Sequence, residues 1–366
     1  MNVKERNDKA KQFILDQLTT AALFNESDFQ SIPEYHYIKN LLTDLIYVEA
    51  RGFRGIVATA LTGAFLDKSY DYLNDFYACN PRSIFEQGIY YAFKETKIPC
   101  GKSDPLNVAK NISVLDEHWA KGKRPASAAL AAVKYLRIIY SEKDTELNKR
   151  LINYFFFMLL NFAKECGSVR VEIPMRIENT TQLIAEKLYR FTINFPESGV
   201  IPQFIVAKLL NCVYEYSSIE VMGGDESVFG TNTTSKKPAD IWLVDKNKTI
   251  CNLYEITVKK IDFKRLDDCI ESLSATNCLD KNIIFICRVP FDIESLEGIQ
   301  DGTLIYKGKV FNFIDISSFI KVTISLITEE QVTQLVHEIA DFINLYDRAQ
   351  KTKRGWSQIF NDHETL

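Results

Sequence analysis

Apolar residues in the first half of the chain recur with the spacing of helices. Intervals of three and four residues between apolar positions occur in four segments, 10–23, 38–48, 126–140 and 151–162. The pair Asn80 and Pro81 is typical of a helix start, because the Asn side chain caps free N–H groups and Pro fits the first helical position. The pattern predicts an α-helical domain over residues 1–165.

The second half changes to a pattern in which strands alternate with helices. In chain order it predicts a helix at 201–217, strands at 241–244 and 249–258, a helix capped by Asp262, and a strand at 282–289. The polar stretch DKNK between the first two strands favours a β-hairpin, and the apolar run NIIFICRV suits a strand buried on both faces. A last helix begins at a capping box formed by Thr328 and Gln331. This order predicts a second domain of the α/β class over residues 166–366.

Composition excludes several classes of protein. The chain has 366 residues, 46% of them hydrophobic, and no run of about 18 apolar residues that would span a membrane. The charged N-terminus MNVKERNDKAKQ is not followed by an apolar segment, so we expect no secretory signal and a soluble, cytoplasmic protein. The eight Cys residues include no CxxC pair and there are four His, which argues against a zinc site or a disulfide framework.

Positive charge is concentrated in two segments, although the whole chain has a net charge of -4. Residues 91–137 contain nine Lys and Arg against four Asp and Glu, and residues 236–265 contain eight against four. The positions within them that we expect to contact DNA phosphates are Lys121, Lys123, Arg124, Lys236 and Lys237. Ordinary solvated surface charge is the alternative explanation.

The predicted hairpin brings two acidic residues to one face of the sheet. If residues 245–248 form the turn, Asp240 lies opposite Leu253, and Glu255 shares the face of Leu253 because side chains alternate along a strand. Asp240 and Glu255 are then diagonal neighbours, with backbones roughly 7 to 8 Å apart. By the same alternation, Lys259 extends this face.

Two carboxylates and an ammonium group on one face suit phosphodiester hydrolysis. Oxygen ligands from Asp240 and Glu255 are those that Mg²⁺ prefers, and Lys259 can neutralise charge that develops on the phosphate. Pro238 before the Asp and the apolar opposite face of the second strand favour this interpretation. A hairpin with ordinary polar residues on its solvent side is the alternative.

The same residues resemble a family. PAD at 238–240 and LYEITVKK at 253–260 are similar to the PD-(D/E)xK nuclease signature, and the order of elements from 201 to 289 resembles the αβββαβ core of that superfamily. The sequence departs from the signature at Thr257, which stands where the lysine is usual, with Lys259 two residues later. More narrowly, a helical first half before such a core is similar to type II restriction endonucleases of the SacI type.

The resemblance implies an activity and a set of partners. It implies Mg²⁺-dependent, sequence-specific cleavage of double-stranded DNA by a homodimer, on a core with a mixed central sheet. In such sites a Glu from the helix before the sheet often joins the metal ligands, and here Glu215 is the candidate, followed by Glu220. Candidate base-contacting residues lie in the loop 224–237 and in the basic helical loops.

Two other functions remain open at the level of sequence. The substitution at Thr257 is the reason to consider a DNA-binding module that has a nuclease fold without catalysis. A helical protein-interaction protein with an α/β appendage is compatible with the negative net charge.

Overall fold

A computed structural model describes residues 2–172, 180–224 and 237–361. The chain divides into two compact units, one formed by residues up to Val169 together with Tyr346–Arg348, and the other by Arg170–Leu345 with the residues from Ala349 onward. The break therefore falls after Val169, where the sequence pattern placed a domain limit at residue 165. None of the described helices combines the length and apolar composition that crossing a membrane requires.

The first unit is built from helices. They are α1 (Val3–Ala21), α2 (Tyr35–Ile46), α3 (Gly52–Leu66), α4 (Pro81–Ile84), α5 (Tyr90–Glu95), α6 (Asp104–Val108), α7 (Glu117–Lys121), α8 (Ala126–Ser141) and α9 (Thr145–Ser168). A π turn at Phe85–Ile89 joins α4 to α5. The predicted start of α4 is confirmed, because the Asn80 side chain accepts from Ser83 N–H and Pro81 is the first helical residue.

Helix α3 forms the centre of this unit. Every residue from Gly52 to Gly63 is buried, so α3 is covered on all sides. The buried guanidinium of Arg54 donates to the carbonyl oxygens of Ile46 and of Pro99, the latter at 3.0 Å. Burial lowers the pKa of Arg54 to about 10. Arg54 therefore stays charged at neutral pH and ties the end of α2 to the centre of the unit.

The second unit contains both helices and strands. They are α10 (Thr181–Asn194), α11 (Val200–Tyr214), β1 (Glu220–Gly223), β2 (Ile241–Val244), β3 (Ile250–Ile256), α12 (Phe263–Ala275), β4 (Ile283–Cys287), β5 (Thr303–Tyr306), β6 (Lys309–Asp315), α13 (Ile316–Ser325), α14 (Glu329–Asn344) and α15 (Gln350–Asn361). The predictions of β2, β3, α12 and β4 are confirmed within two residues at each end, as is the capping box of α14. The expectation that α14 is the last helix is wrong, since α15 follows it.

The six strands form one mixed sheet in the order β1-β2-β3-β4-β6-β5. β1, β2 and β3 are antiparallel, β3 is parallel to β4 and β4 to β6, and β5 is antiparallel to β6. The predicted α/β class is thus confirmed at the level of a mixed α/β sheet domain. Along the described chain, the elements from α11 to β4 follow the order helix, three strands, helix, strand.

Both faces of the sheet are covered. One face, which includes Tyr254 and Ile256, packs against α10, α11, α13, α14 and α15. The other face, which includes Leu253 and Phe285, packs against α12. The alternative of a solvent-facing hairpin is therefore wrong, because β3 is buried from Leu253 to Ile256. Glu255 lies on the face of Leu253, in the layer beneath α12.

The register of the hairpin differs from the predicted one. Ile241 pairs with Tyr254, so that Asp240, one residue earlier, comes opposite Glu255 and not opposite Leu253 as predicted. The causes are a wider turn, in which Asp245 Oδ1 accepts from the N–H groups of residues 247 and 249, and a bulge at Cys251 in β3. The shift of two residues keeps the two acids on one face and moves them closer together.

Gly223 supplies a test of how the backbone of Asp240 is held. Gly223 has φ +82°, and a Cβ there would lie 2.3 Å from the Asp240 carbonyl oxygen. Gly223→Ala should lower the free energy of unfolding, measured by urea denaturation, by the cost of a left-handed residue, about 1–2 kcal/mol, plus the cost of that clash. Gly308→Ala is the matched control, since Gly308 has φ +74° in open space. Equal losses in the two variants would contradict the close approach.

Candidate active site at the carboxyl ends of the parallel strands

Asp240 and Glu255 meet at the end of the sheet where β3 finishes and β2 begins. The side chain of Asp240 is 18% exposed and that of Glu255 is 1% exposed. The two residues lie opposite each other on neighbouring strands, and Asp240 Oδ2 accepts from Ile256 N–H at 3.0 Å. These two acids, which strand alternation predicts on one face of the hairpin, lie directly opposite each other.

Arg265 joins the pair, and sequence reasoning missed it. Its Nη2 donates to Glu255 Oε2 at 2.6 Å and lies 4.0 Å from Asp240 Oδ2. Arg265 stands in the first turn of α12, where the Asp262 side chain caps its backbone N–H at 2.9 Å. A signal was present, because Arg265 is four residues before the buried Cys269 and therefore lies on the face of α12 that packs on the sheet.

The electrostatics of the site are dominated by burial. Burial raises the pKa of Asp240, and the Ile256 N–H and the charges of Arg265 and Lys237 oppose this rise without cancelling it. Burial alone would lower the pKa of Arg265, but the charges of Glu255 and Asp240 outweigh it, and the pKa is raised. Asp240 thus favours a proton, or another cation, more strongly than an exposed carboxylate does.

Gln203 fixes the backbone of Asp240 from the other side. Its buried side chain, in α11, donates from Nε2 to the Asp240 carbonyl oxygen at 3.2 Å. The first turns of α11 therefore lie next to the acid pair. Glu215 is twelve residues further along this helix, and at 1.5 Å per residue that is about 18 Å away.

The structure consequently does not bring Glu215 to the candidate metal site. Glu215 Oε2 instead accepts from Gln331 Nε2 at 2.7 Å. Glu220 pairs with Lys248 at 2.5 Å, at the end of β1 that is remote from Asp240. The helix before the sheet contributes Gln203, and not a glutamate, near the acid pair.

Lys259 lies beyond the regular part of β3. The strand ends at Ile256, so the alternation used to place Lys259 on the face of Glu255 does not extend to it. Lys259 is exposed, its backbone N–H donates to Thr257 Oγ1 at 3.1 Å, and no contact within the described residues joins its side chain to either acid. Lys260 pairs with Glu294. Lys259 accordingly stays a predicted catalytic residue, without a contact that holds it at the pair.

The predicted DNA contacts fall in both units. In the first unit, Lys121 and Arg124 are exposed, and Lys123 Nζ lies 5.5 Å from the ring centroid of Trp119. In the second unit, Lys237 is half-buried close enough to Asp240 to influence its pKa. Lys236 and most of the loop 224–237, where base contacts were expected, lie outside the described residues.

The donor set fits a magnesium ion of the kind that keeps several waters. Mg²⁺ is commonly bound through one or two carboxylates and completed by water and substrate oxygens, which Asp240 and Glu255 can provide. Across residues 2–172, 180–224 and 237–361, no group of three or more His, Cys, Asp or Glu is arranged to bind a metal. Among the described residues, the protein oxygens for such an ion would come from these two side chains.

Comparison of the sequence with protein-family models and with curated proteins finds no match in either. The chemistry of the cluster formed by Asp240, Glu255 and Arg265 therefore carries the functional assignment.

The raised pKa of Asp240 leads to a prediction about stability and pH. A carboxyl group whose pKa is raised in the folded state stabilises the folded protein at a pH below the unfolded pKa, about 3.9. This stabilisation is lost as the pH rises through the folded pKa. Asp240→Asn removes the charge and keeps an acceptor for Ile256 N–H. In EDTA at pH 8, this variant should therefore have a higher Tm than the natural chain, and the gain should shrink toward pH 4.

Glu220→Gln is the control for this measurement, because Glu220 is an exposed acid at the far end of β1. Its Tm difference should be small across the same pH range. A lower Tm for Asp240→Asn than for the natural chain at pH 8 would show that ionised Asp240 is stabilised at the site.

Proposed function

We propose that this chain is a Mg²⁺-dependent endonuclease that hydrolyses phosphodiester bonds of double-stranded DNA, of the type II restriction class in the PD-(D/E)xK superfamily. The observation that carries the proposal is the meeting of Asp240 and Glu255 in a buried pair, at the carboxyl ends of parallel strands. The order helix, three strands, helix, strand around this pair supports the same assignment.

The arrangement of charges favours a catalytic over a structural role. Two largely buried carboxylates side by side repel each other when both are ionised, so they need cations beside them. Arg265 meets this need for Glu255, but it lies 4.0 Å from Asp240 Oδ2. A bound Mg²⁺ would polarise the scissile phosphate and lower the pKa of an attacking water. Asp240 and Glu255 would hold the ion, and the Gln203 amide would keep the Asp240 backbone in place. Lys259 would neutralise charge that develops on the phosphate.

Basic residues near the pair suit a phosphate backbone. Lys237 lies close to Asp240, and Lys259 is exposed just after the end of β3. Long-range positive charge of this kind attracts DNA, while the acidic remainder of the chain limits unspecific contact. Because one such site cuts one strand, cleavage of both strands of a symmetric sequence would take two copies of the chain.

A DNA-binding module without catalysis is the second candidate. The observation that favours it is the combination of Thr257 at the usual lysine position and a Lys259 side chain with no described contact to the acids. The two candidates differ in a simple assay. The module would bind DNA and leave a plasmid intact in Mg²⁺, whereas the endonuclease would cut it.

Removal of either acid should separate cleavage from binding. Asp240→Asn and Glu255→Gln each remove one ligand charge and should raise the activation free energy of plasmid cleavage by several kcal/mol. The single-turnover rate in Mg²⁺ should therefore fall on the order of 10³-fold. DNA binding measured with Ca²⁺ should remain. Glu215→Gln should cut normally, since Glu215 lies at the other end of α11. Normal cleavage by Glu255→Gln would refute the site.

The lysines extend this comparison. Lys259→Ala should lose most of its cleavage activity, because an ammonium group near the phosphate acts chiefly in the transition state. Lys260→Ala is its matched control, since Lys260 is paired with Glu294. Similar losses in both variants would show that the two lysines act through general charge alone.

The loop of the first unit yields a prediction about affinity. Replacing Lys121, Lys123 and Arg124 together with Ala should weaken DNA binding and flatten its salt dependence. Each lost phosphate contact reduces the slope of log K against log salt by about 0.9, so three contacts would change it by about 2.7.

The control for this triple variant removes the same charge elsewhere in the first unit. Three exposed lysines outside the basic segment 91–137 are Lys4, Lys68 and Lys143. Their joint replacement by Ala should leave the salt slope almost unchanged. The same slope in both triple variants would show that the loop does not contact DNA.

A further inference from the structure

Arg265 lies where a cation between the two acids would lie. One nitrogen, Nη2, is within hydrogen-bond distance of Glu255 Oε2 and 4.0 Å from Asp240 Oδ2. Its partner Glu255 is almost fully buried, whereas the Arg265 side chain is 42% exposed. The Arg265 side chain is therefore held by a buried charge at its guanidinium group and is still partly open to solvent.

The contact can break without disturbing the start of α12. Asp262 caps the helix through the backbone N–H of Arg265, and the buried residues Leu266 and Cys269 anchor the helix to the sheet. The side chain of Arg265 takes no part in these contacts. A change in its conformation would leave the start of the helix where it is.

A divalent ion and the guanidinium compete for the same oxygens. Mg²⁺ binds carboxylate oxygen at 2.0–2.1 Å, and the guanidinium nitrogen is 2.6 Å from one of the oxygens that the ion would use. Two cations on one carboxylate repel each other strongly in a partly buried site. Occupancy by one should therefore oppose occupancy by the other.

Two other cations near the end of β3 are engaged elsewhere. Arg288 is bound to Asp292 at 2.6 Å and donates to the Val258 carbonyl oxygen, and Lys260 is bound to Glu294. Arg265 is in an ion pair with both acids. Its planar group can bind two phosphate oxygens at once, which an ammonium group cannot do.

We propose that Arg265 holds the acid pair together in the metal-free protein, is displaced from it by the divalent ion, and then binds the phosphate of the DNA at the site. The second half of this proposal rests on the proposed nuclease function, and the first half does not. Arg265 would thus supply the positive charge that the signature usually places at the position of Thr257.

The test measures metal binding and cleavage in the same variants, with Mn²⁺ as the probe and the full chain without DNA. Arg265→Gln should bind Mn²⁺ at least tenfold more tightly than the natural chain, because the competing charge is gone. Lys264→Gln, which removes one exposed charge from the same helical turn, should change the Kd less than twofold. Arg265→Lys retains a competing charge and should bind Mn²⁺ with nearly natural affinity.

Cleavage of a plasmid in Mg²⁺ should change in the opposite direction. Arg265→Gln should cut at least 100-fold more slowly than the natural chain despite its tighter metal site, and Arg265→Lys should also be slow because it lacks the forked group. Lys264→Gln should cut at nearly the natural rate. If Arg265→Gln is less stable in EDTA, Mn²⁺ should raise its Tm by more than it raises that of the natural chain.

The outcomes separate the two proposals. Unchanged or weaker Mn²⁺ binding by Arg265→Gln would overturn the competition between the arginine and the ion. Tighter binding with undiminished cleavage would overturn the role of Arg265 toward the phosphate. Tighter binding in a protein that cuts no DNA in any form would uphold the competition and refute the nuclease function.

Discussion

The ion pair between Glu255 and Arg265 is the interaction on which the candidate site depends. Glu255 is in the middle of the sheet layer beneath α12, where an unpaired carboxylate would cost several kcal/mol of folding free energy. The pair requires α12 to begin directly over the end of β3, and the Asp262 cap begins it there. The packing of α12 on the sheet therefore also fixes the position of the ion pair of Glu255.

Asp240 is positioned through its backbone more than through its side chain. Gly223 in β1 approaches the Asp240 carbonyl group from one strand, and the Gln203 amide in α11 donates to the same group. The Ile256 N–H in β3 then orients the carboxylate. Three elements of the unit thus fix one residue, which is the rigidity that metal and phosphate chemistry needs. The departure of the sequence at Thr257 leaves this framework intact.

Local sequence signals were enough to locate the strands and helices that are marked by an apolar run or by a capping side chain. β2 and β4 are short apolar runs, and α12 and α14 begin at side-chain caps, so each could be located from neighbouring residues alone. α10, β1, β5, β6, α13 and α15 were not predicted. Their boundaries depend on packing against the rest of the sheet domain, and tertiary packing contributes most of the stability of short strands and helices.

The sequence by itself determined that Asp240 and Glu255 belong to adjacent strands and share a face, because period-two alternation survives a register shift of two residues. Only the tertiary structure decided that they are directly opposed, since the side chain of Asp245 widens the turn. It also decided which other residues reach them. Arg265 contacts Glu255 because α12 packs over β3, and Glu215 lies far from Asp240 because α11 is long. The distances of both residues from the acid pair are set by the placement of whole helices and not by local sequence pattern.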